Sequence, residues 1–162
     1  MGPFPHDAEK SKITQDNPVG TDGFEFVEFA SAEPQKLRDL FLQMGYAHVA
    51  NHKTKPIELW QQGDITYVLN TDPDSFASDF VKEHGPCAPS MGWRVVDARR
   101  ALAHVVKQGA EEYTGAGKVL DVPAIKGIGG SLIYFVDQYY DTSPYNEEYD
   151  WIAQSKPEGV GF

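Results

Sequence analysis

The stretch MGWRVVDARRALAHVVKQG (91–109) repeats the pattern of GFEFVEFASAEPQKLRDLFLQMG (23–45), though not its letters. Each opens on a run with strand character: Phe24, Phe26 and Phe29 within about 24–30, and Met91–Val96. Each then turns helical with one apolar stripe. Leu37, Leu40, Phe41 and Met44 recur at helical spacing in the first, and Ala98, Ala101, Leu102, Val105 and Val106 in the second. Ser31 and Asp97 are the expected N-caps, and Pro34 suits a first turn. Gly45 and Gly109 stand where left-handed C-terminal caps belong.

Three strands follow each helix. The first set falls at about 46–52, 57–62 and 65–70, the last two joined through Gly63-Asp64. The second falls at about 110–114, 118–125 and 131–136, its last pair joined through Lys126-Gly127-Ile128-Gly129-Gly130. Two βαβββ modules, about 23–70 and 91–137, are therefore predicted, an α+β fold of mixed curved sheets with helices on the outside. Residues 71–90, with three prolines, read as a connector carrying a short helix around 76–82. Residues 1–22 read as a flexible arm. Residues 138–162 read as an acidic, tyrosine-rich connector and inter-domain linker, because 137–150 holds five acids, four tyrosines and no base. The competing reading packs those tyrosines against a neighbouring domain or subunit.

Composition excludes several function classes. A single cysteine, Cys87, permits no internal disulfide scaffold. Fourteen basic against 24 acidic residues, net −10, leave no basic face for a nucleic-acid partner. No apolar run reaches the roughly 20 residues of a membrane span, and no secretory signal is visible. A cytoplasmic protein without a membrane partner is expected.

The individual chemical candidates are weak. His48 and His52 have the spacing of a metalloprotease pair but stand in a predicted strand, roughly 13 Å apart, without an intervening carboxylate. His6 has no partner signature, and His104 falls off its helical stripe. His84, in Glu83-His84-Gly85-Pro86, is the best placed for a specific role, with loop bracing the plainer reading. Gly115-Ala116-Gly117-Lys118 fails as a phosphate loop because Glu112 and Val119 stand where glycine and Ser/Thr are needed. Cys87 lacks a basic neighbour to favour its thiolate.

Several segments, in order, resemble one family. GFEFVEFAS (23–31), QMGY (43–46), WQQGDITYVLN (60–70), EHGP (83–86), MGWRVVDARRA (91–101) and PAIKGIGGSLIYFVD (123–137) are similar to the N-terminal half of 4-hydroxyphenylpyruvate dioxygenases. That family belongs to the vicinal oxygen chelate (glyoxalase/bleomycin-resistance-like) class of paired βαβββ modules. The resemblance implies an enzyme using Fe(II) and O2 to convert 4-hydroxyphenylpyruvate to homogentisate and CO2 in tyrosine catabolism. Its iron is held by two histidines and a glutamate, all in the C-terminal half. KPEGVGF (156–162) resembles the linker into that half, so the catalytic half is expected as a partner beyond these residues. Where a ligating half carries a strand-borne histidine, this chain has Phe24 and Gly92, and Ser131–Val136 offers no carboxylate. The expectation is that the chain carries no catalytic, cofactor-binding or metal residue, binds no iron, is inactive alone, and supports subunit contacts in a homo-oligomer. The alternatives are a free-standing binding module of the same fold, or the N-terminal half of a hydroxymandelate synthase.

Overall fold

The computed structural model describes residues 9–139 and 142–152. The first module is β1 (Thr21–Ala30), α1 (Pro34–Gln43), β2 (Ala47–His52), β3 (Ile57–Gln62) and β4 (Ile65–Asn70). After α2 (Phe76–His84), the second module is β5 (Cys87–Val95), α3 (Ala98–Lys107), β6 (Ala124–Lys126) and β7 (Leu132–Val136). A short helix α4 (Tyr145–Glu148) and strand β8 (Tyr149–Trp151) follow. All strands join one curved mixed sheet in the order β6-β7-β5-β1-β4-β3-β2-β8. β1 runs parallel to β4 and β5 parallel to β7, while β1 and β5 pair antiparallel. The β1–β5 seam thus relates two modules of like topology.

Alternation along the strands separates two faces. Leu69 joins Phe41, Tyr46 and Trp60 under α1, and Val95 and Phe135 join Ala98 and Ala101 under α3. Their neighbours Val68, Tyr134 and Val136 belong to a third cluster on the opposite face, with Phe26, Leu59 and Leu132. The α1 stripe lies slightly differently from its prediction. Leu37 and Met44 flank Phe41 against the sheet, whereas Leu40 is 45% exposed.

Four local expectations change. Ser31 does not cap α1: Glu33 occupies the cap position without a side-chain bond, and the Ser31 hydroxyl accepts the Glu33 N–H at 3.0 Å. Asp97 does cap α3, accepting the Arg100 N–H at 2.8 Å. The expected strand 110–114 is reduced to a bridge between Glu112 and Ile125, and 118–125 yields only the three residues of β6. The cause is burial: Val119 and Leu120 turn into the core, with the Val119 N–H donating to the Tyr134 hydroxyl at 3.2 Å. The connector also ends early, since β5 already begins at Cys87.

The flanks contribute to the core. Residues 1–8 and 153–162 lie outside the described residues. Within 9–22, Val19 packs on the α3 cluster, the Asp22 carboxylate accepts the Ser11 N–H at 3.0 Å, and Thr21 already pairs with Val95. Within 138–152, Tyr139, Tyr145 and Tyr149 are buried and β8 pairs antiparallel with β2. These three tyrosines pack on the chain's own sheet, and Glu147 and Asp150 carry the segment's charge outward. Charge counting alone predicted a solvated run here; burial of the aromatic rings decides otherwise.

Candidate functional site

A βαβββ pair offers chemistry where its concave strands converge, and here that place is packed. β1 carries a bulge: Phe24 pairs with Trp93, but the next pairing is Phe26 with Gly92. The extra residue, Glu25, shifts the register, so the inward aromatic is Phe26 (1% exposed), not Phe24 (63% exposed). The predicted inward position of Phe24 is thereby corrected. Gly92 faces the Phe26 ring, and a Cβ built on it would stand 2.5 Å from Phe26 Cε1. The Tyr134 ring closes the other side, its centroid 5.7 Å from that of Phe26.

Two acidic residues of β1 are buried beside these rings. Glu25 meets Arg94, whose Nε donates to its carboxylate at 2.6 Å. Burial raises the Glu25 carboxyl above its ordinary range, and the Arg94 guanidinium opposes that rise. Glu28 accepts the Asn70 amide at 2.8 Å and a short bond from the Ser90 hydroxyl. Its carboxyl is raised by burial, against which these two hydrogen bonds act. Tyr145 and Tyr149, contributed by the tail, pack into this interior, and both hydroxyls are buried without a hydrogen-bond partner among the described residues. A cavity of about 330 Å³ opens beside the pair, lined by Phe24, Glu25, Val27, Ile65, Tyr67 and Arg94.

The residues singled out from sequence lie apart. His48 stacks on Trp60 at 5.0 Å. The His52 Nδ1 accepts the Thr54 and Lys55 N–H groups, each at 3.1 Å, and its ring packs on Tyr149. His84 ends α2, stacked on Phe80, rather than bracing a loop, and His104 is half-buried on α3. His6 lies outside the described residues. Lys118 donates to the Val122 carbonyl at 2.9 Å, and the Gly117 carbonyl accepts the Phe76 N–H at the start of α2, so this glycine stretch is a packed turn. Cys87 is half-buried and its thiol is pushed up by burial and by Glu28. Among the described residues no three His, Cys, Asp or Glu side chains gather to hold a metal ion. The donors of this concave face therefore do not fit an Fe(II) triad: Phe26, Gly92 and Tyr134 provide packing, and the Glu28 oxygens are engaged by Ser90 and Asn70. Sequence reasoning passed over Glu25, Glu28 and Arg94. For the two acids the signal was available as glutamates at 25 and 28 within the apolar run Phe24–Ala30.

Comparison with known proteins gives one consistent answer. The family described as "Hydroxyphenylpyruvate dioxygenase, HPPD, N-terminal" matches residues 15–150. Hemolysin VllY of Vibrio vulnificus is 49% identical over 146 residues, covering 85% of this chain and 41% of that protein. The 4-hydroxyphenylpyruvate dioxygenase of Pseudomonas aeruginosa is 43% identical over 148 residues, covering 88% and 41%. Among solved structures, a xylose isomerase-like TIM barrel/4-hydroxyphenylpyruvate dioxygenase fusion protein superposes with a TM-score of 0.75 at 32% identity, covering 82% of this chain and 22% of the other. The chain spans about two-fifths of the length of these two curated relatives.

Proposed function

The chain belongs to the family of 4-hydroxyphenylpyruvate dioxygenase N-terminal domains, and from that premise we propose that it is the non-catalytic module pair of such an enzyme. In this reading a C-terminal module pair holds Fe(II) on two histidines and a glutamate, and converts 4-hydroxyphenylpyruvate with O2 to homogentisate and CO2 in tyrosine catabolism. The present modules, about 23–137 with 138–162 leading onward, buttress that half and supply subunit contacts in a cytoplasmic homo-oligomer. No site residue for catalysis, cofactor or metal is assigned to this chain.

The observation that carries the reading is the closure of the concave face. Phe26 lies against the Gly92 backbone and beside Tyr134. A ring in that position takes the space a ligand and its metal would occupy, and close packing makes it costly to move. The family resemblance supports the division of labour between halves.

A chimera tests it. This chain replaces the matching segment of the Pseudomonas aeruginosa relative, and oxygen uptake and homogentisate are followed with Fe(II), ascorbate and 4-hydroxyphenylpyruvate. Activity is expected from the chimera and not from the 162-residue chain alone. Uptake above background by the chain alone, or a folded chimera without activity, overturns the reading.

A further inference from the structure

Glu28 is 1% exposed, yet among the described residues no cation faces it. Its two partners are neutral and come from different modules: Asn70 ends β4 of the first, and Ser90 lies directly across the seam on β5 of the second. The titratable groups around it are acids from every side: the Cys87 thiol on β5, the Tyr134 phenol on β7 and the Tyr149 phenol on β8, each raised by burial and by Glu28. The nearer bases are engaged elsewhere. Arg94 pairs with Glu25, and the His52 Nδ1 accepts two backbone N–H groups. On α2, Lys82 pairs with Asp79, and His84 stands 3.8 Å from Glu83.

A carboxylate in such a place has neither water nor a countercharge, whereas a carboxylic acid needs only one acceptor and one donor. Ser90 and Asn70 supply them. We propose that Glu28, Ser90 and Asn70 form a proton-held latch across the seam between the modules, closed while the carboxyl keeps its proton and released when the proton leaves. The surroundings offer a charge on Glu28 no relief, because these acids are held neutral and no cation faces it among the described residues.

The sign follows from linkage. Burial raises the folded-state carboxyl above its unfolded value of about 4.3, so the folded state binds the proton more tightly. Stability is fully present below that value and falls as pH rises through the window up to the raised one, by as much as tenfold in the unfolding constant per pH unit.

The test compares urea unfolding of the wild type and Glu28→Gln between pH 4.5 and 8.5. Glutamine keeps one acceptor for Asn70 and one donor for Ser90 but cannot ionise. The ratio of unfolding constants, wild type over variant, is expected to climb with pH and then level. A ratio independent of pH overturns the latch. Should Glu28→Gln not fold, the wild type decides. Above the pH at which ordinary carboxyls have ionised, its infrared spectrum is expected to retain the carbonyl band of an un-ionised carboxylic acid, lost at still higher pH as Cys87 becomes faster to alkylate per thiolate. Absence of that band overturns the proposal.

Discussion

Replacing Gly92 with alanine sets two well-characterised effects against each other. In a strand interior, glycine costs roughly 0.5–1 kcal/mol relative to alanine through its extra unfolded-state freedom, so Gly92→Ala would stabilise if nothing stood nearby. The structure places Phe26 Cε1 at 2.5 Å and Cδ1 at 2.6 Å from the added methyl. Ordinary carbon contacts are about 3.5–4.0 Å, so the ring must retreat by about 1 Å. It has little room to do so: Phe26 is buried and Tyr134 stands on its other side. Overpacking of this kind costs about 1–3 kcal/mol and reverses the sign expected from backbone entropy. Urea midpoints followed by tryptophan fluorescence report the change, with an unaltered slope showing that the denatured state is the same. Phe26→Leu supplies the control. In the double variant the methyl meets a smaller side chain, and a coupling of about 0.5–3 kcal/mol is expected between sites in contact. A Gly92→Ala protein that is as stable as wild type, or costs that simply add, would refute the packed interior on which the functional reading rests.

Other substitutions separate the faces of the sheet. Leu40→Ala should cost well under 1 kcal/mol because Leu40 is exposed, whereas Phe41→Ala on the same helix should cost about 3–5 kcal/mol and the half-buried Leu102→Ala an intermediate amount, all read as urea midpoints. Arg94→Met leaves the Glu25 carboxylate buried without its cation and should cost about 3–5 kcal/mol, with Glu25→Gln in the same chain recovering part of it. His52 is held below its ordinary value by burial and by Lys55, so its folded state disfavours the proton, and the stability it contributes is lost as pH falls below about 6.5; a His52→Asn protein should show a flatter acid limb in thermal unfolding between pH 7 and 5. Self-association through the exposed Trp151 on β8 and Ile152 just after it should rise with salt, since a net charge of −10 is screened over about 8 Å at physiological ionic strength; a strict monomer at two salt concentrations in sedimentation removes that surface.

What the sequence disclosed and what it hid have a common physical basis. Elements governed by local rules were legible: the proline at the start of α1, the Asp97 cap, the hairpin at Gly63-Asp64 and the helix ends at Gly45 and Gly109, both at positive φ. Elements governed by what lies across the sheet were not. The Val119–Leu120 run has strand character, but the pull of the interior turns it inward before it can pair, leaving β6 with three residues. The tail shows the same thing, with Tyr139, Tyr145 and Tyr149 buried against the sheet in a segment whose charge suggested solvent.

The concave face follows the same rule one level up. A bulge cannot be read from spacing, and the one at Glu25 turns Phe24 outward while Phe26 stays inward, and brings Glu25 to Arg94. It also fixes why Gly92 is glycine, which no propensity explains. Helical and strand periodicity could therefore identify the two modules, while what fills the interior depends on pairing across the seam that no local period reports. The Glu28 latch lies three residues beyond the bulge, on the regular part of β1, where the register pairs it with Ser90. Past the bulge the register is regular, so Phe26 stands opposite Gly92 and beside Tyr134, and this cross-strand pairing, not any local period, supplies the packing that argues against metal chemistry in this half.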